Sequence, residues 1–242
     1  MSERAQAIMI WWGLAFMYIF GFTLWGLLKM MPPPSATLTA DQVAAFYADN
    51  SLHIRLGAMV ASWTSAFMVP FSTVVAIQMA RLERGRPVWA VLAFAGGIMM
   101  SIFLVIPGVF WGVAAYTPTR PAEVTALMHE LALLTLTTTD QYYIFQMVSL
   151  AFLSLTHKGD VPDSPFPRWI GYFTLWAALA FEVGAFAFLP KSGPFSWNGA
   201  VVYWMPLTVF GAWVTTVSVA MLRALKRQAA AKMPQGAVSN DA

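Results

Sequence analysis

Cysteine is missing from all 242 residues. Its absence excludes disulfides, a thiolate nucleophile, an iron–sulfur cluster and a thiolate zinc site. Charge is nearly as scarce. Asp, Glu, Lys and Arg make up 10% of the chain, against roughly 25% in soluble domains, too few to cover a water-facing surface. Only three histidines occur, His53, His129 and His157. That is fewer than the histidine clusters of membrane di-iron enzymes require, and all three fall near the ends of apolar segments rather than at matched depth inside them, which speaks against a bis-histidine haem. A glycine-rich phosphate loop is lacking. His129-Glu130 is followed at position 133 by Leu, so the metalloprotease pattern of two histidines four apart is not completed.

Apolar sequence fills the space. Hydrophobic residues make up 59% of the chain and mean hydropathy is +0.63. They fall in long runs, so the bilayer is the solvent to reason with. A crossing helix needs about 20 mostly apolar residues, because lipid offers backbone amides no partner. Segments 7–28, 56–79, 88–111, 169–189 and 200–222 satisfy that test. The first is too long for the core of a signal peptide and is followed by Lys29 and a proline block rather than a small-residue cleavage site, so it is read as retained.

The stretch 124–155 is apolar but interrupted by Thr135, Thr137, Thr138, Thr139 and Asp140. Side-chain oxygens of this kind favour helix starts, which places a short sixth crossing over 140–156. The preceding 123–134 becomes an amphipathic or re-entrant helix at the outer face, and a single tilted helix through the whole stretch is the alternative. In the first outer loop, Thr39 can cap a short helix with apolar Val43, Phe46 and Tyr47 at helical spacing.

Six crossings put Arg4, Arg81, Arg84, Arg86, Lys158, Arg168, Arg223, Lys226, Arg227 and Lys232 on one side, and Lys29, Arg55, Arg120 and Lys191 on the other. The positive-inside rule then places both termini in the cytoplasm. The expected fold is an all-α polytopic membrane helix bundle with short outer-face helices, one domain over 1–226, and a disordered cytoplasmic tail over 227–242. Basic residues scattered over loop ends form no stripe for nucleic acid. Trp11, Trp12, Trp25, Trp89, Trp111, Trp169 and Trp197 read as interface anchors, and Trp63, Trp176 and Trp213 as packing residues. Pro70, Pro107 and Pro206 sit inside crossings and can kink them. Span two carries Ser62, Thr64, Ser65, Ser72, Thr73 and Gln78, enough to line a polar path or simply to bond their own helix.

Ionisable groups in apolar segments are the functional leads, because a charge in hydrocarbon is costly. Glu182 lies thirteen residues after Trp169, roughly two-thirds across at about 1.5 Å per residue. Such a carboxyl must be protonated, paired or turned to a polar cavity. His53, His129, Glu130 and Asp140 fall at the same outer ends, and with Glu182 they could form an outward pocket. Imidazole with carboxylate suits a divalent metal or a proton relay, so a metal on His53, His129, Glu130 and Asp140 is an option, although no cofactor is required. The plain alternative is a cap at Asp140 and headgroup contacts for the others.

Two stretches, Val43-Ala-Ala-Phe-Tyr-Ala-Asp-Asn50 and Tyr116-Thr-Pro-Thr-Arg-Pro121, resemble those of a group of bacterial integral membrane proteins with about six spans and no assigned activity. The likeness covers residues 1–160 and implies topology and a bacterial inner-membrane location, without any catalytic residue. The expectation from the sequence is a non-catalytic inner-membrane protein, either an accessory subunit of a membrane complex or a binder of a hydrophobic small molecule. Competing readings are a small permease or proton-coupled carrier using Glu182 and the outer cluster, and a membrane enzyme with a metal there.

Overall fold

A computed structural model describes residues 1–138, 140–157 and 164–231, apart from the side chains of Asp140 and Gln141. Every regular element among them is helical. Helix α1 (Glu3–Phe22) continues through a π turn, Thr23–Leu27. Then come α2 (Ala40–Asp49), α3 (Ser51–Ser65), α4 (Met68–Ala80), α5 (Val88–Tyr116), α6 (Ala122–Thr138), α7 (Ile144–Thr156), α8 (Arg168–Glu182) and α9 (Met205–Ala231). A 3-10 turn, Asp140–Tyr143, joins α6 to α7. Another, Val183–Phe188, extends α8, and a π turn, Ala200–Trp204, opens α9.

Five of these units are long and apolar enough to cross a membrane: Glu3–Leu27, Ser51–Ala80, Val88–Tyr116, Arg168–Phe188 and Ala200–Ala231. They cover the five apolar runs read from the sequence, short of the last residue in two, Leu28 and Leu189. Helix α9 continues through Ala231, while Lys158, Lys232 and the rest of the tail lie outside the described residues.

Two interruptions have a local cause. Proline lacks the N–H that its helix would direct at the carbonyl four residues back. Pro70 leaves the Ala66 carbonyl without that donor, and span two breaks at Ala66–Phe67, where Phe67 N–H turns to Thr64 O at 2.9 Å and Val69 N–H to Ala66 O at 3.0 Å. Pro206 likewise follows the π turn of the last span. Pro107 stands inside an unbroken α5. Helix α1 ends where Lys29 takes a positive φ of 57° and Met30 N–H reaches back to Leu24 O at 2.8 Å, a left-handed stop of the kind glycine usually provides.

Helix α5 is the central post. Helices α3, α4, α6 and α7 all pack against it. Along one side Trp89 lies tilted against Phe152 at 4.2 Å and Phe103 stacks on Tyr142 at 4.0 Å. Between those pairs, a Cβ added to Gly96 would meet the Gln146 backbone nitrogen at 2.6 Å. The 3-10 turn and α7 therefore run antiparallel to α5 in continuous register. Helix α7 has 13 residues, too few to cross alone, and begins at Ile144 rather than at an Asp140 cap. Helix α6 packs on the same post and is longer than the expected 123–134.

Helices α1, α4 and α9 meet at one end through a cluster of amides. Gln78 Nε2 donates to Gln6 Oε1 at 2.7 Å, Gln228 Nε2 donates to Gln78 Oε1 at 3.1 Å, and Arg81 Nη1 donates to the same oxygen at 2.7 Å. Residues 6 and 228 thus share one end of the bundle, called here the terminal end.

Deep in the bundle Trp213 is fully buried, edge-on to Tyr143 at 5.4 Å and to Phe71 at 6.2 Å, with its Nε1 donating to Thr174 Oγ1 at 2.9 Å. Trp111 and Trp197 are buried as well, not interface anchors, whereas Trp63 and Trp176 face outward and pack no core. On helices that are apolar all round, composition does not say which face turns inward.

Candidate functional site

The residues singled out from the sequence separate. His53 is exposed on the first turn of α3. His129 is buried on α6, with 1% of its surface exposed. Glu130, the next residue, turns outward and pairs with Lys191 at 3.7 Å between largely solvated side chains, a pairing that adds little stability. The side chain of Asp140 lies outside the described residues. Glu182 is half-buried at the end of α8, and its Oε1 is enclosed without a hydrogen-bond partner. Among the described residues, no three His, Asp or Glu side chains gather as a metal ion would need.

His129 instead joins a small aromatic layer. Helix α2 starts with a capping box, in which Gln42 N–H donates to Thr39 Oγ1 at 3.3 Å and Thr39 N–H to Gln42 Oε1 at 2.9 Å. That start aims Tyr47 at α6, where its hydroxyl lies 2.9 Å from His129 Nδ1. Trp197 meets the imidazole edge-on at 5.8 Å and donates from Nε1 to Pro34 O at 2.9 Å. Burial pushes the Tyr47 phenol well above its ordinary range, because its charged form would lose hydration. A neutral phenol donating to Nδ1 leaves the proton of the imidazole on Nε2, and Nε2 has no partner.

The hydroxyls of span two are mostly bound to their own helix. Thr64 donates to Val60 O at 2.9 Å, Ser65 to Ser62 O at 3.0 Å and Thr73 to Val69 O at 2.9 Å. Ser72 reaches across to Gln146 Oε1 at 3.3 Å, and Gln78 enters the terminal cluster. The first three bonds stay within their own helix, and those of Ser72 and Gln78 staple span two to its neighbours.

The feature that sequence reasoning missed is a partly open cavity with walls from α1, α5, α6, the 3-10 turn, α8 and α9. It lies toward the end opposite the terminal cluster, since Leu24 and Val202 both border it. Among the described residues, no charged side chain lines it. Six aromatic rings do: Phe20, Phe103, Tyr143, Phe181, Tyr203 and Phe210. Of its hydroxyls, Tyr203 donates to Met30 O and Thr137 to Leu133 O at 2.9 Å. Tyr143, 1% exposed, has no partner for its own. Aromatic residues spread over six chain segments carry no spacing signal, so only the fold brings them together. Chemically, the chamber can hold an uncharged apolar molecule and offer it one hydrogen bond.

Comparison of the chain with protein-family models, with curated proteins and with solved structures finds no match.

Proposed function

We propose that this chain is a non-catalytic protein of the bacterial inner membrane that holds a hydrophobic small molecule inside its helix bundle. The observation that carries this reading is the uncharged, aromatic-lined chamber whose Tyr143 hydroxyl is left unspent. A buried phenol without a partner costs about 1–3 kcal/mol, a penalty that a ligand oxygen would remove. Ligand sites commonly have this form, apolar walls with few polar groups.

The same reading takes six crossings with both termini in the cytoplasm. Gln6 and Gln228 converge on Gln78, which supports an even number of passes, and α6, the 3-10 turn and α7 together supply the sixth as a broken helix beside α5. The lipid bilayer is the first partner, and nucleic acid has no place in it.

The test is extraction of protein purified in mild detergent. Roughly one apolar compound per chain is expected from the wild type, and its loss from Leu207→Trp, which fills the chamber from a partly exposed position. A wild-type protein that carries nothing, and that no apolar probe stabilises against heat, defeats the reading.

Glu182 favours a second reading, a proton-coupled carrier, because its enclosed Oε1 lacks a partner. Glu182→Gln would then abolish transport at unchanged protein abundance, and a fall in abundance would mark the residue as structural.

A further inference from the structure

Resting on the ligand-binding reading, we propose that the occupant is a neutral ring compound bearing a carbonyl oxygen, the chemistry of a membrane quinone. Its carbonyl would accept from the Tyr143 hydroxyl and its ring would sit among Phe103, Phe181 and Phe210.

Three observations narrow the class. Among the described residues the lining holds no charged side chain, and an ion placed among them would lose hydration without a counter-charge. The ligand is therefore neutral. The one hydroxyl without a partner belongs to a phenol, a group that donates readily, and its counterparts on Tyr203 and Thr137 are already spent on backbone carbonyls. The ligand therefore brings an acceptor, and a carbonyl is stronger in that role than an ether.

The third observation is the ring geometry. Tyr143, Phe181 and Phe210 stand in mutual contact, with centroids 6.3, 6.2 and 6.4 Å apart. Aromatic faces carry negative charge density and edges positive, so an electron-poor ring such as a quinone is the matching partner.

The probes are a decyl-substituted benzoquinone, the same ring with both carbonyls replaced by methyl ethers, and dodecylbenzene, each titrated into the purified full chain while thermal unfolding is followed. The quinone is expected to raise the unfolding temperature by several degrees. The dimethoxy ring should bind about tenfold more weakly, and Tyr143→Phe should weaken the quinone by a similar factor while leaving dodecylbenzene unchanged. The ligand-side comparison keeps the test intact if Tyr143→Phe does not fold. Equal binding of all three probes, or tighter binding of dodecylbenzene, overturns the carbonyl assignment while leaving a hydrophobic chamber. Failure of every probe to stabilise the wild type overturns the chamber reading as well.

Discussion

Tyr47 and His129 are joined at 2.9 Å across 82 positions of sequence, tying α2 to α6 through a buried phenol and a buried imidazole. His129→Phe keeps a ring in the layer but removes this bond, and should lower the unfolding temperature in detergent, since a buried phenol left without its partner costs about 1–3 kcal/mol. An unchanged temperature would show that the pair does not hold α2 to α6.

The other partner can be removed as well. Tyr47→Phe leaves Nδ1 buried without a donor, at a cost of about 1–3 kcal/mol. Exchange of α2 amides with deuterium should accelerate while that of α9 stays unchanged, and a uniform acceleration would contradict a local junction.

Close packing on α5 gives a sharper contrast. A methyl at Gly96 would press on the backbone of Gln146 at 2.6 Å, whereas one at Gly21 meets nothing within 4 Å. Gly96→Ala should destabilise by more than about 1 kcal/mol, since overpacking forces the backbone apart. Gly21→Ala should be neutral or stabilising by up to about 1 kcal/mol. Comparable melting temperatures for the two variants would mean that α7 does not lie against α5.

The want of cysteine makes topology simple to measure, because any introduced thiol is the sole one. Thr37→Cys should react with a membrane-impermeant maleimide on intact cells, and Arg84→Cys only after permeabilisation. The reverse pattern would invert the bundle, and labelling of both would remove an intervening crossing.

The amide cluster can be weighed by a double-mutant cycle. Gln6→Ala and Gln78→Ala should couple by roughly 0.5–1.5 kcal/mol, the usual net worth of such a bond. Additive losses would mean that the two side chains stabilise the bundle separately.

Hydropathy located the five long helices, because lipid excludes unsatisfied backbone whatever face a helix presents. Thr39 announced the start of α2, because a cap is a local signal written next to the turn that it closes. The failures share one cause. Burial of Trp111 and exposure of Trp63 depend on which side of an apolar helix meets a neighbour, and that is a property of pairs of helices. His129 was read as part of a polar outward cluster for the same reason, since its aromatic cover comes from Tyr47 and Trp197, far away in sequence. The chamber around Tyr143 was the least legible feature, as its walls are ordinary Phe, Leu and Met until six segments converge.

Helix α5 has 29 residues, about 43 Å at 1.5 Å per residue, against roughly 30 Å of hydrocarbon. If upright, the post overshoots the acyl chains by more than two turns, and its far end lifts the histidine layer toward the headgroups. Lipids with longer tails would submerge that layer and shorter ones would bare it. The thickness of the host membrane thereby sets how much water can approach the idle nitrogen of His129.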